Sequence, residues 1–177
     1  MIRTYKGTTP TVDATAFVDH SAQVIGDVHI GAESSVWMNV VVRGDVHRIR
    51  IGRRSNIQDL TMVHVMRDRH PTSIGDDVTV GHSACLHGCT IEDRVLIGMG
   101  ATLLNGVHVG ADSVVAAGSL LTEGTRIPPR SFVVGRPATV KRPLSDAEIA
   151  GIRGYAASYV AYRLDYMAED AGAPERR

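Results

Sequence analysis

Between Val12 and Ile127 an aliphatic side chain returns at six-residue intervals. The runs are Val12, Val18, Val24, Ile30, Val36, Val42; Ile51, Ile57, Val63; Ile74, Val80, Leu86; and Ile91, Ile97, Leu103, Val109, Val115, Leu121, Ile127. Four residues beyond each stands Ala, Ser, Thr or Val, with Arg67 the one exception. A period of six fits neither the 3.6-residue helical repeat nor the two-residue alternation of a strand. It fits a chain wound as a triangular prism, one short strand and one corner per hexad, which is the hexapeptide β-helix pattern. The predicted fold is therefore mainly β: a parallel β-helix over residues 1–140, a C-terminal helix over 141–170 packed on it, and a flexible tail at 171–177. Nineteen hexads at three per coil give six to seven coils, a prism roughly 30 Å tall at about 4.8 Å per coil.

Breaks in the period locate loops. The step from Val42 to Ile51 is nine residues, which predicts three extra residues bulging out near Asp45 to Arg48. The step from Val63 to Ile74 is eleven, which places MRDRHPTS outside the prism. Between Leu86 and Ile91 one residue is missing. Glycine follows many of the aliphatic residues (Gly31, Gly52, Gly75, Gly110), where a tight corner with positive φ is expected. Pro128, Pro129, Gly135 and Pro137 should end the coil, since proline cannot serve inside a ladder. Ser145 and Glu148 then form a capping box that opens a helix to about Ala168. Its inward stripe is read as Ile149, Ile152, Ala156, Tyr159, Val160 and the stem of Arg163, which suits a helix lying lengthwise on one wall.

The repeat turns spacing into geometry. If each aliphatic residue points inward, the next residue points out. Arg43, His64 and His87 then form an external column on successive coils, and two imidazoles one coil apart can chelate a metal at about 2.0–2.1 Å per nitrogen. His82, which follows Val80, belongs to a neighbouring wall and cannot join that pair around its own prism. It can complete a three-histidine site on an adjacent subunit, so the site itself predicts a closed trimer. Arg43 and Asp45 in VVRGD, with Asn56, Gln58 and Asp59 in SNIQD, fall on the coils just before the histidines. Two readings are open for them: ion pairs at an interface, or groups that orient a small anion. Cys85 and Cys89 flank His87, but CxxxC alone is a weak ligand pattern and free cysteine more often fills a buried gap.

Composition removes several classes of function. Nineteen basic and nineteen acidic residues balance, which offers no field for nucleic acid or an anionic membrane. Phe17 and Trp37 are the large aromatics of the repeat, too few for a base-stacking surface. The sequence MIRTYKGTTP has no apolar stretch of signal-peptide length, no run approaches a membrane span, and two cysteines suggest no disulfide framework. A cytoplasmic chain acting on small molecules is expected.

The motifs VVRGD, NIQD, His64, GHSACLHGC and GRPA, with the hexads and the terminal helix, resemble the gamma-class carbonic anhydrase family, in its short bacterial branch. The resemblance implies a left-handed β-helix, a homotrimer, and reversible hydration of carbon dioxide to bicarbonate. It implies zinc, with iron(II) or cobalt as alternatives, on residues matching His64, His82 and His87. It implies an Arg43–Asp45 salt bridge across the trimer interface, a Gln58 that orients the nucleophile with support from Asp59, and Tyr159 lining the pocket. The founding members carry a glutamate where this chain has Val46, and a longer acidic loop where it has MRDRHPTS; Asp68 and His70 are the available proton carriers. Two further readings share the prism: a hexapeptide acyltransferase or acyl-CoA thioesterase, favoured by GRPA, and a metal-binding family member with little catalysis.

Overall fold

Hexad by hexad, short strands stack in register into three walls. The computed structural model describes residues 1–172. One wall is an eight-stranded sheet running from Phe17–Val18 through Asn56–Ile57 and Thr79–Val80 to Ser131–Gly135, with Ala138–Pro143 added antiparallel at its end. The other two walls form one twelve-stranded sheet, because Gln23–Ile30 and Val41–Ile51 run unbroken round the corner between them. The architecture is a parallel β-solenoid of about seven turns with one C-terminal helix.

The aliphatic residue of each hexad points into the prism. Val24, Ile30, Val36, Val42, Ile57, Val80, Leu86, Ile97 and Leu103 are completely buried in one continuous core. Each such side chain stabilises the fold by ~1.5–3 kcal/mol relative to exposure. The small residue four positions on is also inside, beneath the corner. At three corners it is a Ser or Thr whose hydroxyl donates to a carbonyl of the next coil: Ser34 to Gly52 at 2.7 Å, Ser55 to Gly75 at 2.8 Å, Thr61 to Gly81 at 3.2 Å. That bond explains why a polar residue is tolerated there.

The corners differ from expectation. The left-handed residue stands three positions after the aliphatic one and is often not glycine: Glu33, Asn39, Arg54, Leu60, Asp77, Ser83, Arg94, Asp112 and Arg130 all have φ between 54° and 61°. The glycines directly after the aliphatic residues serve a different purpose. A Cβ at Gly52 would lie 2.5 Å from the Gly75 carbonyl oxygen, and one at Gly98 would lie 2.4 Å from the Ala117 nitrogen. They permit coils to approach, not the chain to turn.

The extra residues at 45–48 sit within the long strand as a bulge, where pairing jumps from Gly26–Gly44 to Val28–Ile49. The second excursion is shorter than the sequence implied. Only a turn closed by Met66 and His70 leaves the prism, while Thr72–Ile74 returns as a wall strand with Thr72 fully buried. The prolines at 128 and 129 do not end the coil; they form a corner, and Ser131–Gly135 adds one more parallel strand.

The terminal segment 138–143 is a strand, and the helix spans Asp146–Gly172, starting later and running further than expected. Its capping box is reciprocal: the Ser145 amide donates to Glu148 Oε2 at 2.9 Å, and the Glu148 amide donates to Ser145 Oγ at 3.3 Å. Ile149, Ile152 and Ala156 are buried against the wall, as is the whole of Arg163, whose guanidinium donates to the Thr15 carbonyl at 2.7 Å. Tyr159 and Val160 are half-buried. The tail expected at 171–177 lies, from 173 on, outside the described residues.

Candidate metal centre

His64 and His87 are exact register partners on adjacent coils of one wall, above Val42, Val63 and Leu86. Their rings meet with His64 Nδ1 3.2 Å from His87 Nε2. What this contact means depends on which nitrogens carry protons, and the outer partners decide that. His64 Nε2 lies 2.9 Å from Asp45 Oδ1, and the other oxygen of that carboxylate is paired with Arg43 at 2.5 Å. Burial opposes the charge on Asp45, but hydrogen bonds from His64 and Arg43 outweigh it and hold the carboxyl below its ordinary range. An ionised carboxylate only accepts, so His64 carries its proton on Nε2 and leaves Nδ1 bare.

The same logic applies to His87. Its Nδ1 lies 2.8 Å from Asn105 Oδ1, and the Asn105 amide nitrogen donates to Glu123 at 2.8 Å. The amide therefore presents oxygen to the ring, His87 is protonated on Nδ1, and Nε2 is bare. Two lone pairs then face each other across 3.2 Å. Two nitrogens bonded to one tetrahedral ion at 2.0–2.1 Å would stand about 3.3 Å apart. Burial, helped by the neighbouring Arg43 charge, depresses the His64 pKa against the pull of Asp45, so the ring is neutral and available as a ligand. The donor set fits a metal ion.

Not every residue singled out from sequence comes to this place. His82 lies at another corner, with Nδ1 2.9 Å from Asp59 Oδ2. Among the described residues, no three His, Cys, Asp or Glu side chains converge on one possible ion site within the chain. Arg43 and Asp45 pair within the chain, whereas the resemblance puts that salt bridge across an interface. His82 shares with Gln58, Tyr155, Tyr159 and Tyr162 a cleft of 490 Å³ between the wall and the helix. Gln58 is buried and donates to Asn56 Oδ1 at 3.1 Å. Tyr159 packs edge-on against Trp37, and burial, with the Asp59 charge nearby, pushes its pKa up. Cys89 is buried with its thiol pushed up to about 12 by burial, and burial also raises half-exposed Cys85. Neither is poised as a thiolate.

Three contributors escaped the sequence reading. Asn105 and Glu123 stand two residues after Leu103 and Leu121, in line with Gly88, because Leu86, Leu103 and Leu121 are in register. Thr72 was hidden in an apparent loop; its hydroxyl donates to the His64 carbonyl at 2.6 Å and accepts from the Gly88 amide at 3.0 Å. Of the loop candidates, Asp68 is exposed at the turn, whereas His70 is half-buried, its ring carbon Cε1 3.4 Å from where a Cβ on Gly106 would stand.

The bacterial transferase hexapeptide family (six repeats) matches residues 88–123. Gamma carbonic anhydrase 1, mitochondrial, of Arabidopsis thaliana is 52% identical over 167 residues, 92% of this chain and 61% of its own length. The chain thus spans about three fifths of that plant relative. A carbonic anhydrase of Geobacillus kaustophilus is 42% identical over 160 residues, covering 90% of this chain and 87% of that protein. The chain belongs to the gamma carbonic anhydrase family. Membership in the gamma carbonic anhydrases implies a metal cofactor, which the paired imidazoles suit. A solved structure of a hexapeptide transferase family protein from Anaplasma phagocytophilum also superposes, with a TM-score of 0.90, 40% identity, and coverage of 94% of this chain and 98% of that one. No helix among the described residues is long and apolar enough to cross a membrane.

Proposed function

We propose that this chain is a metal-dependent carbonic anhydrase that works as a homotrimer, interconverting carbon dioxide and water with bicarbonate and a proton. The observation that carries the reading is the convergence of two bare imidazole nitrogens, His64 Nδ1 and His87 Nε2, each fixed by a partner that leaves it no proton. His82 of a neighbouring copy supplies the third ligand, since its own chain gives it no route to the pair. Three histidines suit zinc, and also iron(II) or cobalt.

When bound, the ion supplies the Lewis acidity that makes water a nucleophile near neutral pH. The chain supplies the rest. Asp45 and Asn105 hold the histidines; Gln58 and Asp59, beside His82, orient the attacking group; Tyr159 closes the apolar side of the cleft against bulk water. Arg43 is placed to favour the bicarbonate anion over its neutral precursor. A proton must leave in each turnover, and His70 is the better placed carrier, half-buried beside the glycines next to His87.

Metal analysis followed by stopped-flow measurement of carbon dioxide hydration tests the reading. Wild-type protein should hold one metal per chain and turn over. His87→Ala should lose the metal and activity while keeping its circular dichroism spectrum. Metal held without turnover would support a binding protein with little catalysis. The width of the cleft and the likeness to a hexapeptide transferase keep one other reading in play: metal-free protein that consumes acyl-CoA would establish acyl transfer instead.

A further inference from the structure

The lone pair on His87 is only as secure as the proton on its other nitrogen, and that proton is controlled by an amide. Asn105 could in principle turn either end toward the ring. With oxygen inward it accepts from His87 Nδ1–H at 2.8 Å, and its nitrogen donates to Glu123 at 2.8 Å. With nitrogen inward, its oxygen would face the Glu123 carboxylate, setting two acceptors against each other, and His87 would have to protonate Nε2. That proton would point at His64 Nδ1 and occupy the space between the rings. Glu123 therefore decides which way Asn105 faces, and Asn105 decides which nitrogen of His87 is free. The corner beneath is cleared for this contact. A Cβ at Gly88 would lie 2.6 Å from Asn105 Oδ1 and 2.7 Å from the His70 Cβ.

We propose that Asn105, oriented by Glu123, is a positioning residue that locks His87 in the Nδ1–H form and thereby sets the affinity of the His64–His87 pair for metal. The inference rests on the metal reading above and deepens it: where that reading has Asn105 hold the ring, here Asn105 and Glu123 together select the nitrogen that is free. Partners of this kind fix ligand tautomer and ring angle, and losing one costs about 10–100-fold in metal affinity.

The test uses the full chain in two states. Long-range proton–nitrogen NMR on metal-free protein reports the His87 tautomer, and competition with a zinc chelator reports affinity. Wild type should show a single Nδ1–H form. Asn105→Leu should show His87 protonated on Nε2 in part or wholly, and bind zinc about 10–100-fold more weakly. Asn105→Asp combined with Glu123→Gln, which keeps an acceptor toward His87 and gives the second oxygen a donor, should restore both. Circular dichroism checks folding; should Asn105→Leu fail it, Glu123→Ala, on the exposed side of the pair, carries the same comparison. An unchanged tautomer, or unchanged affinity with a changed tautomer, overturns the inference. A wild-type chain that binds no zinc, yet whose tautomer follows Asn105, overturns the metal reading and leaves control of His87 by Asn105 standing.

Discussion

Thr72 shows how a single hydroxyl can couple stability to the site. It is fully buried, and it bridges the His64 carbonyl to the Gly88 amide, the two backbone groups flanking the imidazole pair. Thr72→Val keeps the shape and removes both bonds, leaving the Gly88 amide and the His64 carbonyl only their direct bond to each other at 3.1 Å. The expected cost is about 1–3 kcal/mol, read from equilibrium urea unfolding, with Thr72→Ser recovering most of it. His70 is a different case, since the role proposed for it is kinetic. His70→Ala should leave metal content and KM unchanged but lower kcat, on the order of 10²-fold at the typical strength of general acid–base assistance. Added imidazole buffer should restore the rate, and a variant that turns over at the wild-type rate in weak buffer would exclude His70 as carrier.

At the scale of the strand and corner, one edge of the prism carries a charge ladder built from left-handed residues. Arg54 bonds Asp77 at 2.8 Å, Arg94 holds Asp112 through two bonds at 2.8 and 3.1 Å, and Arg130 reaches Asp146 at the start of the helix at 2.6 Å. The Arg94 guanidinium is the main reason that the Asp112 carboxyl lies below its ordinary 3.8. A depressed carboxylate adds stability that is present above the unfolded value and disappears as pH falls through the folded one. Arg94→Met should therefore cost ~0.2–1 kcal/mol near neutral pH, because the pair is partly solvated, and the difference from wild type should shrink at acid pH, as the medium falls below 3.8 and through the lower folded value. Urea unfolding at neutral and at acid pH checks this. The ladder also shows what the sequence could and could not reveal. The inward column and the His64–His87 register were legible, because burial enforces both and a one-residue slip would expose the core. The corner conformation was not, because φ is chosen by the turn while Glu, Arg and Asp tolerate it at modest cost. Glycine drew attention to the wrong position, where it serves close packing. Asn105 and Glu123 were legible only once Leu86, Leu103 and Leu121 were known to stack, since no local motif marks them.

Taken whole, the molecule has three unequal walls, and this asymmetry says where a second copy belongs. One wall is covered by the helix. Another ends in polar side chains, including Ser73, Thr90, His108 and Arg126 in register. The histidine wall instead lines up Val41, Met62, Cys85, Thr102 and Leu120 on successive coils, four of the five apolar, with Met62 40% exposed. Leu60 and Met99, at the His82 corner, are 63% and 60% exposed. An apolar strip of this kind, running beside an incomplete ligand set, is suited to burial against another protomer. Met62→Glu would place a carboxylate in each such contact, at a position outside both the core and the candidate site. The expected result by light scattering is three chain masses for wild type, as the proposed trimer requires, and a folded monomer for the variant. Zinc affinity should fall with it, because His82 can then no longer reach the paired imidazoles. Arg126→Glu, on the polar wall, should change neither mass nor affinity. A Met62→Glu monomer that keeps zinc as tightly as wild type would mean that the third ligand comes from within the chain or from solvent, and that the trimer serves something other than the metal.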